Sequence, residues 1–233
     1  MVHSFGVVPT EIAVQVPASK RVLLENLDRP ASLNTPSLKR TALLQALTNE
    51  NPMESPGSTK SFAPVAVGTW SVVYAPHIYT LGQGNFNPIL YDLRSDGTMF
   101  SHVHFNIPII DKTGWLSVSG TYSSQDENRV SRVDFDKTWI KWNDDYNDDK
   151  PYPTLDAVPA SLEKTIVQAV GSLLFVDGVS VFPVSYLDED TIVFDFELLG
   201  TRICARKIPL GTAATAADLS PIEYSLSSMR ENR

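Results

Sequence analysis

The apolar residues of this chain change their period partway along it. From Ala18 to Leu27 (ASKRVLLENL) and from Ser37 to Thr48 (SLKRTALLQALT), Leu and Val gather on one side and Lys, Arg, Glu and Asn on the other. That is the spacing of two short amphipathic helices. Ser19 and Ser37 stand where N-caps are expected, and Pro36 and Pro52 bracket the second segment. The run Pro52 to Pro64 (PMESPGSTKSFAP) is rich in Pro, Ser and Gly and reads as a linker. From Val67 the period is two: Trp70, Val72 and Tyr74 alternate with Ser71, Val73 and Ala75, and Ile89, Tyr91 and Leu93 with Leu90, Asp92 and Arg94. Such alternation predicts strands with one face buried.

Ser95-Asp96-Gly97-Thr98 predicts a tight hairpin turn in which Gly97 takes a positive φ. Met99, Val103, Phe105 and Ile107 share one face of the strand that follows. A second hairpin joins WLSVSGTY (115–122) to RVSRVDF (129–135) through SSQDEN, so that Leu116, Val118 and Tyr122 meet Val133 and Phe135. Beyond an acidic stretch, a helix is predicted near Ser161 to Val170, then strands in LLFV, VSVFPVSYL, TIVFDFELL and RICARKI. Eight to nine closely spaced strands, without βαβ alternation or internal repeat, predict a mainly β protein: an antiparallel barrel with two N-terminal amphipathic helices and one further helix. The domains expected are an N-terminal extension with two helices and a linker (1–60), a β-barrel domain (61–210) and a C-terminal tail (211–233). A barrel of about eight strands is just wide enough to be filled by side chains or to hold one small ligand.

Charge refines this picture. The 233 residues carry 19 Lys+Arg and 27 Asp+Glu, a net charge of -8. Residues 1–60 hold six basic and five acidic side chains, leaving 13 basic against 22 acidic in the remainder. The acidity therefore belongs to the barrel segment. This balance argues against sequence-independent nucleic-acid binding, which depends on Lys and Arg neutralising phosphates. Cys204 is alone, so no intramolecular disulfide is expected. No run approaches the ~20 apolar residues of a membrane-spanning helix. The N-terminal residues show neither a signal-peptide nor a transit-peptide pattern.

Several motifs, in this order, resemble the plastid lipid-associated proteins, also called plastid fibrillins. They are Leu43-Leu44-Gln45-Ala46-Leu47 followed by Asn51-Pro52, then Val67-Gly68-Thr69-Trp70-Ser71-Val72-Val73-Tyr74, and later Val184-Ser185-Tyr186-Leu187-Asp188-Glu189-Asp190. The similarity runs from about Lys20 to Ile208. Two places depart from the family pattern: Ala75-Pro76 after the first strand, and Ile192-Val193-Phe194-Asp195-Phe196 after the last motif. The resemblance implies a lipocalin-like barrel, peripheral association with plastid thylakoids or plastoglobules, and non-enzymatic binding or organisation of a lipid, carotenoid or quinone. The alternative is a structural or assembly subunit of a photosynthetic membrane complex, with the same barrel filled and no ligand.

In lipocalin-like barrels a Gly-x-Trp closes one end, with a cation over the ring. On that analogy Trp70 is paired with Arg202 or Arg206, which alternate with Cys204 along the final strand. Trp70, Tyr74, Tyr91, Phe105, Tyr122, Phe135, Phe194 and Phe196 are expected to line the interior, where they either hold a ligand or simply fill the space. His102 and His104 sit two apart on the face opposite Val103 and Phe105, which predicts solvent exposure and no metal site. Asp144, Asp145, Asp148 and Asp149 lack an EF-hand's glycine and closing Glu, so a solvated loop is expected. With Trp139, Trp142, Tyr146 and Tyr152 around it, that loop is also a candidate partner surface.

No nucleophile elbow, zinc-protease motif or phosphate-binding glycine loop is present; Gly82-Gln83-Gly84 is a bare loop signal. Asp134 and Asp136 share an exposed strand face. The expectation is a protein that is not an enzyme and requires no cofactor. Lys20, Arg21, Lys39 and Arg40 give the two helices the charge used at anionic membrane surfaces, but no aromatic anchors. The alternative, which is favoured, is a lid packed across the barrel.

Overall fold

A computed structural model describes residues 17–27, 36–53, 59–78, 86–125, 130–143, 150–159 and 181–209. Its helices are α1 (Ala18–Leu27), α2 (Leu38–Asn49) and α3 (Thr59–Ala66). Its strands are β1 (Gly68–Tyr74), β2 (Phe86–Leu93), β3 (Thr98–Ile107), β4 (Lys112–Gln125), β5 (Val130–Trp142), β6 (Val181–Leu187), β7 (Thr191–Phe196) and β8 (Thr201–Lys207). Each strand pairs antiparallel with the next in sequence, and β8 returns to pair with β1, so the pairing order runs as a ring. The shortest ladder is β5 to β6, where Val130, Ser131 and Arg132 meet Pro183, Phe182 and Val181.

The eight strands form as their alternation predicts. Gly97 sits at φ 83, and the Asp96 carboxylate accepts hydrogen bonds from the Thr98 hydroxyl (2.6 Å) and amide (2.9 Å). The predicted helix near 161–170, the strand LLFV, the loop Asp144–Asp149 and the Gly82–Gly84 segment lie outside the described residues.

Two cores share the sheet. Inside the ring, Trp70, Val72, Ile89, Leu93, Met99, Val133, Val184, Ile192, Phe194, Ile203 and Ala205 pack together with Phe62 and Ala66 of α3. On the outer wall, Leu23 and Leu27 of α1 and Leu44 and Leu47 of α2 cover Tyr74, Tyr186, Val193 and Cys204. The first two helices therefore pack along the flank of the sheet rather than as a lid across the barrel. A ring of strands whose two faces are both apolar along β7 and β8 offers a second surface for amphipathic helices to bury.

Three local expectations change. The segment read as a linker contains α3, because Phe62 and Ala66 are four residues apart and bury on one side of a helical turn despite the interior Pro64. Ser37 caps α2 by accepting from the Arg40 amide (3.3 Å), but Ser19 lies inside α1 and its hydroxyl donates to Glu50 (2.9 Å). Of the four cations read as suited to an anionic surface, Arg21 and Lys39 are exposed. Lys20 is buried, donating to Asp188 (2.6 Å) and to Asp190, and Arg40 is buried beneath Tyr74. Burying an ammonium is favourable only when it is paired, and these two carboxylates provide the pairing.

Candidate functional site

All eight strands contribute to one internal cavity of about 60 Å³. Trp70 comes from β1, Tyr91 and Leu93 from β2, Met99 from β3, Tyr122 from β4, Val133 and Phe135 from β5, Phe182 from β6, Phe194 from β7 and Ile203 from β8; α3 adds Phe62. Cross-strand register explains the convergence. Trp70 opposes Tyr91, Leu93 opposes Met99, Met99 opposes Gly120, and Gly120 opposes Phe135, so all point to one side of the sheet. Phe62 meets Tyr122 edge to face at 5.9 Å between centroids, a favoured arrangement of two π systems.

Among the eight residues expected to line the interior, Trp70, Tyr91, Tyr122, Phe135 and Phe194 lie in the cavity wall. Tyr74 does not. A β-bulge between Val72 and Tyr74 inserts one residue against β8, which turns Tyr74 to the outer face. There its hydroxyl exchanges hydrogen bonds with Ser37 and lies 3.4 Å from the Thr41 hydroxyl. Phe105 is buried against Trp142 (5.3 Å), away from the cavity lining. Phe196 stacks between His77 (4.6 Å) and Phe182 (6.0 Å) and borders an outer groove of about 360 Å³ together with Tyr74, Gln45 and Arg202. The polar groups of that groove are matched to one another. Arg202 donates to Asp195 (2.7 Å) and to Gln45 (2.9 Å).

The cation over the Trp70 ring is Lys207, not Arg202 or Arg206. Along β8, Ile203 and Ala205 point inward while Cys204 faces the helices, so the two arginines belong to the outer face. Lys207 is directly opposite Trp70 in the β1–β8 ladder. Its Nζ lies 5.1 Å from the centre of the Trp70 ring and donates to the Val65 carbonyl (2.7 Å), while Trp70 Nε1 donates to the Ala66 carbonyl (2.7 Å). Two carbonyls at the C-terminus of α3 are thus satisfied, one of them by a cation placed where the helix dipole favours it. Burial lowers the Lys207 pKa from its ordinary value. Gly68 makes room for this arrangement: its φ is 133, and a Cβ there would lie 2.7 Å from Lys207 Cε.

Two lining tyrosines differ in their polar ends. Tyr122 donates to the Arg94 carbonyl (2.6 Å). The Tyr91 hydroxyl makes no hydrogen bond among the described residues, and burial pushes its pKa up to about 12. A neutral phenol in an apolar wall is a donor held ready for an acceptor.

His102 and His104 do face away from the interior, yet His102 is buried rather than solvated. Its Nδ1 is 2.8 Å from the Ser117 hydroxyl, and its ring packs against Phe100 and Trp139. Burial pushes its pKa down to about 4, and burial does the same to His77. His104 lies 5.1 Å from Trp115 and 3.1 Å from the Asn87 carbonyl. Among the described residues, no three His, Cys, Asp or Glu side chains come together as a metal site. Asp134 and Asp136 are exposed, and Asp136 accepts from Ser119 (2.7 Å). Cys204 is fully buried, and burial pushes its thiol up to about 12, which suppresses thiolate chemistry. No described helix is long and apolar enough to cross a membrane.

Phe62, Leu93, Met99, Val133, Phe182 and Ile203 complete the cavity wall beyond the aromatic set expected from sequence. The cross-strand register that places most of them follows from hairpin geometry. Phe62 was hidden by the composition of its surroundings, and only the Phe62/Ala66 spacing hints at it.

No family model matches the chain, and no curated protein matches it.

Proposed function

We propose that this protein binds an apolar small molecule inside its ring of strands and is not an enzyme. One observation carries the reading: a cavity whose wall takes side chains from all eight strands and whose described residues are all apolar or aromatic, apart from two tyrosine hydroxyls. Ligand pockets are characteristically apolar with a few placed polar groups. The lipocalin-like description of the ring belongs to this proposal, as do the ligand classes lipid, carotenoid and quinone and the setting at plastid thylakoids or plastoglobules. Those rest on the resemblance of the Gly68-Thr69-Trp70 and Tyr186-Leu187-Asp188-Glu189-Asp190 segments.

Native isolation followed by mass spectrometry of extracted pigments and lipids tests the reading. About one apolar molecule per chain is expected. A preparation that carries none, and that co-purifies stoichiometrically with other subunits, would overturn it.

The second reading, a structural or assembly subunit with a filled interior, is favoured by two observations. A cavity of about 60 Å³ is well below the ~300 Å³ at which small-molecule pockets begin. In addition, the turn between β3 and β4 exposes Ile107, Ile109 and Ile110, with Ile109 96% exposed, and an exposed apolar cluster of this kind suits a docking contact.

A further inference from the structure

The ligand-binding reading leaves open what part of a ligand the cavity takes and how it enters. We propose that the cavity seats the end group of a ligand that carries a hydrogen-bond acceptor, that Tyr91 donates to this acceptor, and that Phe62 is the side chain the end group displaces. This rests on the ligand-binding reading and assigns its chemistry.

Three observations converge. Apart from Phe62, every described lining residue belongs to a strand and is fixed by cross-strand pairing. Phe62 alone comes from α3, an eight-residue helix. Among the described residues, α3 meets the strands through side chains: Phe62 and Ala66 pack in the inner core, the Phe62 ring lies on Tyr122, and Trp70 and Lys207 donate to the last carbonyls. Displacement of the Phe62 ring leaves the strand ladders intact. Withdrawal of the Phe62 ring would enlarge the cavity toward the ~150 Å³ in which a benzene-sized ring is accommodated.

The second observation is the Tyr91 hydroxyl, which lacks a hydrogen-bond partner among the described residues while Tyr122 in the same wall has one. A hydroxyl facing the cavity without a protein partner gains a hydrogen bond when a ligand acceptor meets it. The third is charge. Among the described residues, the lining contains no ionisable group other than the two tyrosines, and burial keeps Tyr91 protonated. An uncharged acceptor such as a ketone, quinone or alcohol oxygen therefore fits, whereas a carboxylate would be buried without a cation.

The test uses acetophenone and its isostere α-methylstyrene, which differ by a C=O in place of C=CH2, titrated into the full chain by ligand-observed NMR. Phe62→Ala is expected to bind acetophenone at least ~10-fold more tightly than the unmodified protein, because the plug is gone. In that background acetophenone should exceed α-methylstyrene by ~3- to 10-fold, the range of one hydrogen bond, and Tyr91→Phe added to Phe62→Ala should erase the preference. Phe62→Leu, which keeps more of the packing, should give the same pattern in smaller measure if Phe62→Ala does not fold. Equal affinity for the two probes, or a preference that survives Tyr91→Phe, overturns the assignment. If the unmodified protein carries a native apolar ligand whose retention neither substitution changes, this inference fails while the ligand-binding reading stands. A native preparation without ligand would fail the reading independently of the probe result.

Discussion

Lys207 lies over the indole of Trp70 and, through the Val65 carbonyl, ties the end of α3 to the ring of strands. One side chain thereby joins the first strand, the last strand and the helix that fills the interior. Lys207→Met keeps the stem but removes the donor and the cation. A cation over Trp and one hydrogen bond at a helix terminus together are worth about 1–2 kcal/mol, and that loss should appear in urea unfolding. Hydrogen exchange should rise in α3 before it rises in β1 or β8.

Gly68 faces the same lysine from below. Gly68→Ala places a Cβ against Lys207 Cε and forces an L-residue to φ 133. The strained backbone alone should cost about 1–3 kcal/mol. Thermal melts of Gly68→Ala, of Lys207→Met and of the two combined separate the causes. In the double variant the side chain no longer tethered to Val65 is free to move aside and relieve the clash, but the backbone strain remains. A double variant no less stable than Lys207→Met alone would show that the φ carries no cost.

Acid should destabilise the protein well above the carboxylate range. His77 and His102 are held neutral, with pKa values of about 4 against an ordinary value of 6.5. The unfolded chain binds protons on both residues as pH falls below 6.5, whereas the folded chain resists until about 4. Stability is therefore full above 6.5 and lost progressively between 6.5 and 4. At pH 5 each histidine should account for about 2 kcal/mol. His102→Gln, which can still pair with Ser117, should roughly halve the difference in unfolding free energy between pH 7.5 and pH 5; an unchanged difference would contradict the burial of His102.

The ion cluster that fastens α1 should behave as a local anchor. Asp188 accepts from Lys20, from the Tyr186 hydroxyl (2.6 Å) and from the Thr191 amide (2.8 Å). Asp188→Asn leaves the buried ammonium with Asp190 and is expected to cost about 2–3 kcal/mol, less than a fully buried pair because Asp190 is half exposed. Limited proteolysis should then cut near α1 first, while the ring stays intact.

Tyr74→Phe and Tyr91→Phe make a paired control. Tyr74 lies under α2, so loss of its hydroxyl should cost about 1 kcal/mol in stability and leave uptake of a ketone probe unchanged. Tyr91→Phe should do the reverse, because no hydrogen bond to a described residue is lost. Identical profiles for the two variants would contradict their placement on opposite faces.

The alternation of Trp70, Val72, Ile89, Tyr91, Leu93 and Met99 made the strands and most of the interior face readable, because one-sided burial leaves a period of two in the sequence. The Asp96-Gly97 turn was readable for the same local reason. What escaped has physical causes. Alternation cannot fix the phase of β8, since Ile203 and Ala205 bury inside while Cys204 buries beneath the helices, so neither face is polar enough to identify itself. That is why the arginines, and not Lys207, looked like the clamp. A bulge leaves no mark on composition, so simple counting puts Tyr74 on the wrong side. The α3 segment is dominated by residues that favour turns, and its helical form depends on a hydrophobic socket supplied by distant strands.

The bulge at Val73 has one more implication. By changing sides within a single strand, β1 belongs to the interior at Trp70 and to the helical flank at Tyr74. Two hydrophobic compartments thus hang on one backbone register. A deletion at Val73 would remove the bulge yet keep Tyr74 opposite Cys204, whereas a regular strand of the present length would set Tyr74 opposite Ile203 and drive a phenol into the interior. What is constrained is the register beyond Val72, where one unpaired residue decides which compartment Tyr74 fills.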